Sequence, residues 1–263
     1  MAQPALHWYA GQDGTPLAYR ETGTGRPLLL LHGLTGDGTM WLDSGQAHQF
    51  AASGFRVIMP DFRGHGASEK PHDPAAYPPD VLADDVLALI KHLELAGDDL
   101  PGDDLAGGYD LAGYSLGARI VVRSLVRGAT PRRAVVAGQG MQQLLGTVGK
   151  AGTQLRRIFS GDDPPAGSPD ARAAAWLRSR GADPVALLHV LDTLVPTTAE
   201  QIARIHLPVL VVVGTDDERG ETADELAATL SDATLVRIPG DHAHAGASPE
   251  LGTAIVDFLS GSD

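Results

Sequence analysis

The chain has 263 residues, with 33 acidic against 20 basic side chains for a formal charge of −13, and it contains no cysteine. That length supports a sizeable core in one large domain or two small ones, and the missing cysteines exclude disulfides, thiolate metal sites and cysteine nucleophiles. The acidic balance argues against nucleic acid and against an anionic membrane as partners.

The N-terminal stretch MAQPALHWYAGQDG has neither the basic start nor the apolar run of a signal peptide. The longest purely apolar runs are about five residues, as at VLVVV, too short to span a bilayer, so the expectation is a soluble, cytoplasmic protein. Residues 1–25, with LHWYA, GQDG and LAYRETGTG, read as an antiparallel hairpin at a sheet edge. Buried strands follow at PLLLLHG (27–33) and FRVIMPD (55–61), then at YDLAG (109–113), RAVVAG (133–138), PVLVVVG (208–214) and ATLVRIPG (233–240). Each is apolar on consecutive positions, as expected of parallel strands covered on both faces.

Helical patterns lie between them. Residues 79–97 place Val81, Leu82, Asp85, Val86, Leu89, Ile90 and Leu93 on one stripe, which is apolar except for a carboxylate. Residues 115–128 place Leu116, Ile120, Val121, Ser124 and Leu125 on another, with Gly128 as a stop. Alternating strands and helices predict an α/β fold, with a mainly parallel central sheet and helices on both faces. The alternation breaks between 141 and 203, where only helical patterns and a Pro, Gly and Asp-rich loop occur. The expected organisation is therefore core over 1–140, a helical cap insertion over 141–203, and core again over 204–263. The Gly-Asp-Asp runs at 97–99, 102–104 and 161–163 read as solvated loops.

Within YDLAGYSLGARIVV, Ser115 sits in a G-x-S-x-G pattern. Chance alone would supply that pattern in roughly one such sequence in six, so its context must carry the argument. A nucleophile elbow needs a strand, a tight turn with small residues beside the serine, and then a helix, and this stretch supplies them in that order. Here the chain resembles the α/β-hydrolase fold family over nearly all its length. LLLLHGLTGDGTMW (28–41) looks like the family's oxyanion loop, and IMPDFRGHGASEKP (58–71) like the next strand and its glycine-rich exit. LPVLVVVGTDDE (207–218) and TLVRIPGDHAHAG (234–246) are similar to the segments that deliver the family's acid and histidine.

The resemblance implies a serine hydrolase that cleaves a small carboxylic ester through an acyl-enzyme. Ser115 would be the nucleophile, His242 the base and Asp217 the acid, with His244 and Asp216 as the neighbouring alternatives. The backbone N–H groups of Leu34 and Leu116 would form the oxyanion hole. His32, His65, Asp61 and Arg63 would hold loops in place. Trp41, Met141, Phe159 and Trp176 are candidate linings of an acyl pocket.

No cofactor is expected, and no metal, because the His242 and His244 pair has no third ligand at suitable spacing. The same triad serves cofactor-free perhydrolases or haloperoxidases, lactonases and C–C bond hydrolases. A non-catalytic ligand receptor of this fold is the alternative outside enzymes. Epoxide hydrolases and haloalkane dehalogenases of the fold use aspartate where Ser115 stands.

Overall fold

The computed structural model describes residues 4–95, 108–146, 150–159, 161 and 164–261. Of the three Gly-Asp-Asp runs, those at 97–99 and 102–104 and the two aspartates of the third lie outside the described residues. One sheet of eight strands organises the chain: β1 Leu6–Ala10, β2 Pro16–Thr22, β3 Arg26–Leu31, β4 Phe55–Pro60, β5 Asp110–Tyr114, β6 Ala134–Ala137, β7 Val209–Gly214 and β8 Ala233–Ile238. Their spatial order is β1-β2-β4-β3-β5-β6-β7-β8. The β1–β2 and β2–β4 pairs are antiparallel, the first being the expected edge hairpin, and the remaining pairs are parallel. The α/β class read from the alternation of strands and helices is the observed one.

The helices are α1 Met40–Asp43, α2 Gln46–Ala52, α3 Val81–His92, α4 Leu116–Val126, α5 Met141–Leu145, α6 Lys150–Phe159, α7 Pro169–Ser179, α8 Pro184–Asp192, α9 Ala199–Ala203, α10 Ala223–Thr229, α11 His242–Ala247 and α12 Pro249–Ser260. Consecutive strand side chains face opposite ways, so each buried strand feeds two cores. In β3, Leu29 and Leu31 pack with α3 and α4, whereas Leu28 and Leu30 pack with Trp41, Phe50 of α2 and Leu251 and Ile255 of α12. This is why runs such as LLLL carry no alternation. Among the described residues, no helix is long and apolar enough to cross a membrane.

The carboxylate that interrupts the α3 stripe has a partner. Asp85 is 2% exposed and receives both Nε and Nη2 of Arg63 at 3.0 Å. Arg63 directs its remaining donors to Asp13, Thr15 and the Ala76 carbonyl. Each donor of a fully buried guanidinium is thereby satisfied, which a buried cation requires. The network ties the edge hairpin to α3 and to the loop after β4.

Helices α5–α9 lie between β6 and β7, and their own small core is Leu155, Leu177 and Leu191, packed against Phe159, Leu188, Leu194 and Leu34. Two arginines of α4 grip both ends of this segment. Arg119 donates to the carbonyls of Gln143 (2.6 Å), Val195 (3.0 Å) and Gly146. Arg123 pairs with Asp80 at 2.7 and 2.5 Å and reaches the Pro196 carbonyl at 3.4 Å. These cations stand four residues apart in the otherwise apolar run ARIVVR, and that anomaly is a readable sign of a buried polar partner.

Candidate active site

Ser115 occupies the turn between β5 and α4 with φ 58° and ψ −114°. This left-handed backbone is strained for any residue with a side chain, and it persists only where the surroundings fix it. They do so by close approach. A Cβ on Gly117 would lie 2.1 Å from the Leu31 carbonyl oxygen, and one on Gly113 would lie 2.3 Å from the Gly117 carbonyl carbon. The two glycines therefore let strand, turn and helix pack at backbone distance and force the serine outward. Across residues 109–124, Ser115 alone is not buried.

Two later strand ends converge on it. His242 is the first residue of α11, presented there because its neighbour Asp241 caps the helix by accepting the N–H groups of Ala243 and His244. Its Nε2 lies 3.0 Å from Ser115 Oγ, and its Nδ1 lies 2.6 Å from Asp217 Oδ2. The carboxylate accepts, so Nδ1 carries a proton and the neutral ring presents Nε2 to the serine as acceptor. The other oxygen, Asp217 Oδ1, accepts the Arg219 N–H at 3.1 Å, and the Arg219 guanidinium lies 3.7 Å away. Burial works against charge on Asp217, but the hydrogen bond from His242, the charge that ring carries when protonated, and the Arg219 contacts outweigh it and hold the carboxyl below its ordinary value. Such a chain can carry a proton off a hydroxyl as the oxygen attacks.

The neighbouring alternatives are not brought in. Asp216 is exposed, and His244, with an 81% exposed side chain, bonds Asp241 at 2.8 Å instead. Leu34 follows β3 in the loop beside the serine, where a Cβ on Gly33 would sit 3.6 Å from Ser115 Cβ. Leu116 opens α4, whose first N–H groups have no helical acceptor. Among the described residues, no main-chain carbonyl takes the Leu34 or the Leu116 N–H.

The proposed pocket linings separate. Trp41 must be corrected: it has no exposed surface and belongs to the core beneath the sheet. Trp176 is 52% exposed, which fits the outside of α7 rather than the wall of a closed pocket. Met141 is buried against the other face of the sheet, in the core that also holds Leu116. Phe159 lies in the small core of the helical segment, the same cluster that touches Leu34.

The loops beside the serine hang on two buried histidines. His32 Nδ1 donates to the Gly33 carbonyl at 2.8 Å, and its Nε2 accepts the Phe62 N–H at 3.0 Å. Both ring nitrogens of His65 face carbonyls, Leu34 at 2.9 Å and Arg63 at 3.1 Å. Those carbonyls favour a protonated His65 ring, but burial and the adjacent His32 override them. Burial lowers both rings from 6.5 to about 4, helped at His65 by His32. Both are therefore neutral in the folded state, whereas the unfolded chain protonates them below about pH 6.5. Stability is complete above that pH and is lost as pH falls toward the folded value, by about 2 kcal/mol per ring at pH 5. Urea midpoints should be level above pH 7 and drop between pH 7 and 5; a midpoint unchanged across that range would contradict neutral, buried rings.

Known proteins resemble this chain in sequence and in fold. A non-heme chloroperoxidase, CPO-A1, of Kitasatospora aureofaciens is 37% identical over 84 residues, 32% of this chain and 29% of that one, so this match spans under a third of the relative's length. A protein of Synechocystis sp. provisionally named a non-heme chloroperoxidase is 27% identical over 252 residues, covering 84% of this chain and 86% of the relative. A thermophilic esterase from Thermogutta terrifontis, solved with malate bound, superposes with a TM-score of 0.72 at 24% identity, over 97% of this chain and 98% of that one. The family model described as "Alpha/beta hydrolase family" matches residues 28–253. With that match spanning most of the chain and strands β4 to β8 in full, the chain belongs to the alpha/beta hydrolase family.

Proposed function

We propose that the protein is a serine hydrolase that cleaves a small carboxylic ester. The observation that carries this reading is the hydrogen-bonded series from Asp217 through His242 to the accessible, strained Ser115. Ser115 Oγ attacks the ester carbonyl carbon while His242 Nε2 takes its proton. The carbonyl π electrons move to oxygen, and the N–H groups of Leu34 and Leu116 receive that oxyanion; one such donor is worth about 3 kcal/mol in the transition state. The tetrahedral intermediate collapses with loss of the alcohol, which leaves with the proton held on His242. Water then attacks the acyl-enzyme, again giving its proton to His242, and the carboxylic acid departs as Ser115 regains its hydrogen. Asp217 keeps its charge throughout and stabilises the imidazolium.

The helical segment α5–α9 supports the role of a cap. Its leucine cluster packs against Leu34, so the segment lies against the loop that follows β3. Similarity to chloroperoxidases favours one second reading, in which hydrogen peroxide replaces water in the deacylation step and the product is a peracid.

A panel of aryl esters of increasing acyl length, run beside lactone and peroxide assays, tests both. Turnover should be highest on short acyl chains, with peracid formed only when peroxide is added. Lactone opening without aryl-ester turnover would overturn the ester assignment.

A further inference from the structure

The residue before the nucleophile reaches the base. Tyr114 ends β5 and is 5% exposed, with its side chain on the sheet face opposite Leu116. Its hydroxyl donates to the main-chain carbonyl of His242 at 2.5 Å. The tyrosine and imidazole rings also pack, with centroids 5.1 Å apart and planes at 33°.

The cradle admits little else. A Cβ on Gly246 would lie 2.6 Å from Tyr114 Cε1, and one on Gly138 would lie 2.9 Å from Tyr114 Cζ and 3.0 Å from His242 Cε1. Beyond the ring, Gln46 Nε2 holds the far end of the same short helix through the carbonyls of Gly246 (3.3 Å) and Ser248 (2.8 Å). Burial raises the phenol well above its ordinary value, so it remains a donor at any working pH.

We propose that Tyr114 is a positioning residue that sets the register of the base against the nucleophile, by holding the main chain of His242 from the position adjacent to Ser115. The proposal rests on the triad reading above. α11 has only six residues, too few to be stable alone, and the hydroxyl and ring of Tyr114 tie it to the strand that carries the nucleophile. A small rotation of α11 would change both the 2.6 Å and the 3.0 Å bonds of His242 together. Tyr114 therefore acts through His242 and does not touch the substrate.

Tyr114→Phe retains the ring in its glycine cradle and removes only the hydroxyl. With aryl ester as substrate, kcat should fall about tenfold and KM should stay within about twofold, since one hydrogen bond that orders the reacting state is lost. The low-field proton signal of His242 Nδ1–H, assigned by its absence in His242→Ala, should broaden in the variant. The thermal midpoint reports whether the fold itself has loosened.

A kcat equal to wild type would overturn the proposal, and so would a fall in kcat that merely tracks a fall in the folded fraction with the low-field signal unchanged. His242→Ala, assayed in parallel, separates the two levels of inference. If that variant keeps full turnover, the triad reading fails and this proposal fails with it. If it is inactive while Tyr114→Phe is unaffected, only the positioning role fails.

Discussion

Ser115→Ala should lower ester turnover by at least about 10⁴-fold while leaving the fold in place. The size of the loss follows from the chemistry: without Oγ no acyl-enzyme can form, and what survives is the contribution of the oxyanion donors and of binding. The intact fold follows from the position. Ser115 is the accessible residue of a buried stretch, its side chain caps no helix, and its main-chain bonds to Ala137 and Arg119 do not involve Oγ. Alanine also fits within the volume serine leaves. Circular dichroism and a thermal midpoint close to wild type should accompany the lost activity. Retained wild-type turnover would remove Ser115 from the mechanism.

His242→Ala and His244→Ala should differ by at least about 10³-fold in kcat, although they stand two residues apart. His242 bridges the serine and the buried Asp217, whereas His244 makes its side-chain bond to Asp241 in solvent. His244→Ala keeps the Asp241 cap, because that cap rests on main-chain N–H groups. Its turnover should stay within about twofold of wild type. Steady-state kinetics of the two variants on one aryl ester checks this, and similar losses in both would mean that the base lies elsewhere.

Much of this architecture is legible in the sequence because the relevant signals are local. Strands buried on both faces show as unbroken apolar runs, and LLLL and VLVVV are β3 and β7. The strand–serine–helix turn likewise shows within the fourteen residues YDLAGYSLGARIVV, by a strand, two glycines and a helix. Asp217 is preferred to Asp216 only through the resembled family's pattern of Gly, two residues and Asp, and the structure buries the first and exposes the second.

What the sequence withholds depends on contacts between distant positions. Tyr114 and His242 are 128 residues apart, and no pattern near either announces that a phenol meets that particular carbonyl. The carboxylate of Asp85 looks like a flaw in an apolar stripe until Arg63, 22 residues away, supplies its counter-charge. Trp41 misleads for a related reason. A large apolar side chain close to the oxyanion loop in sequence is as suited to a core as to a pocket, and only the fold shows that it faces the core beneath the sheet.

Labelling with a fluorophosphonate, read by intact mass and peptide mapping, tests the central claim most directly. An activated serine should take one phosphonyl group on the peptide containing Ser115, and the Ser115→Ala and His242→Ala proteins should remain essentially unlabelled over the same time. Wild-type protein that resists the reagent, or a variant lacking Ser115 that still labels at the wild-type rate, would contradict the assignment of Ser115 as a nucleophile activated by His242.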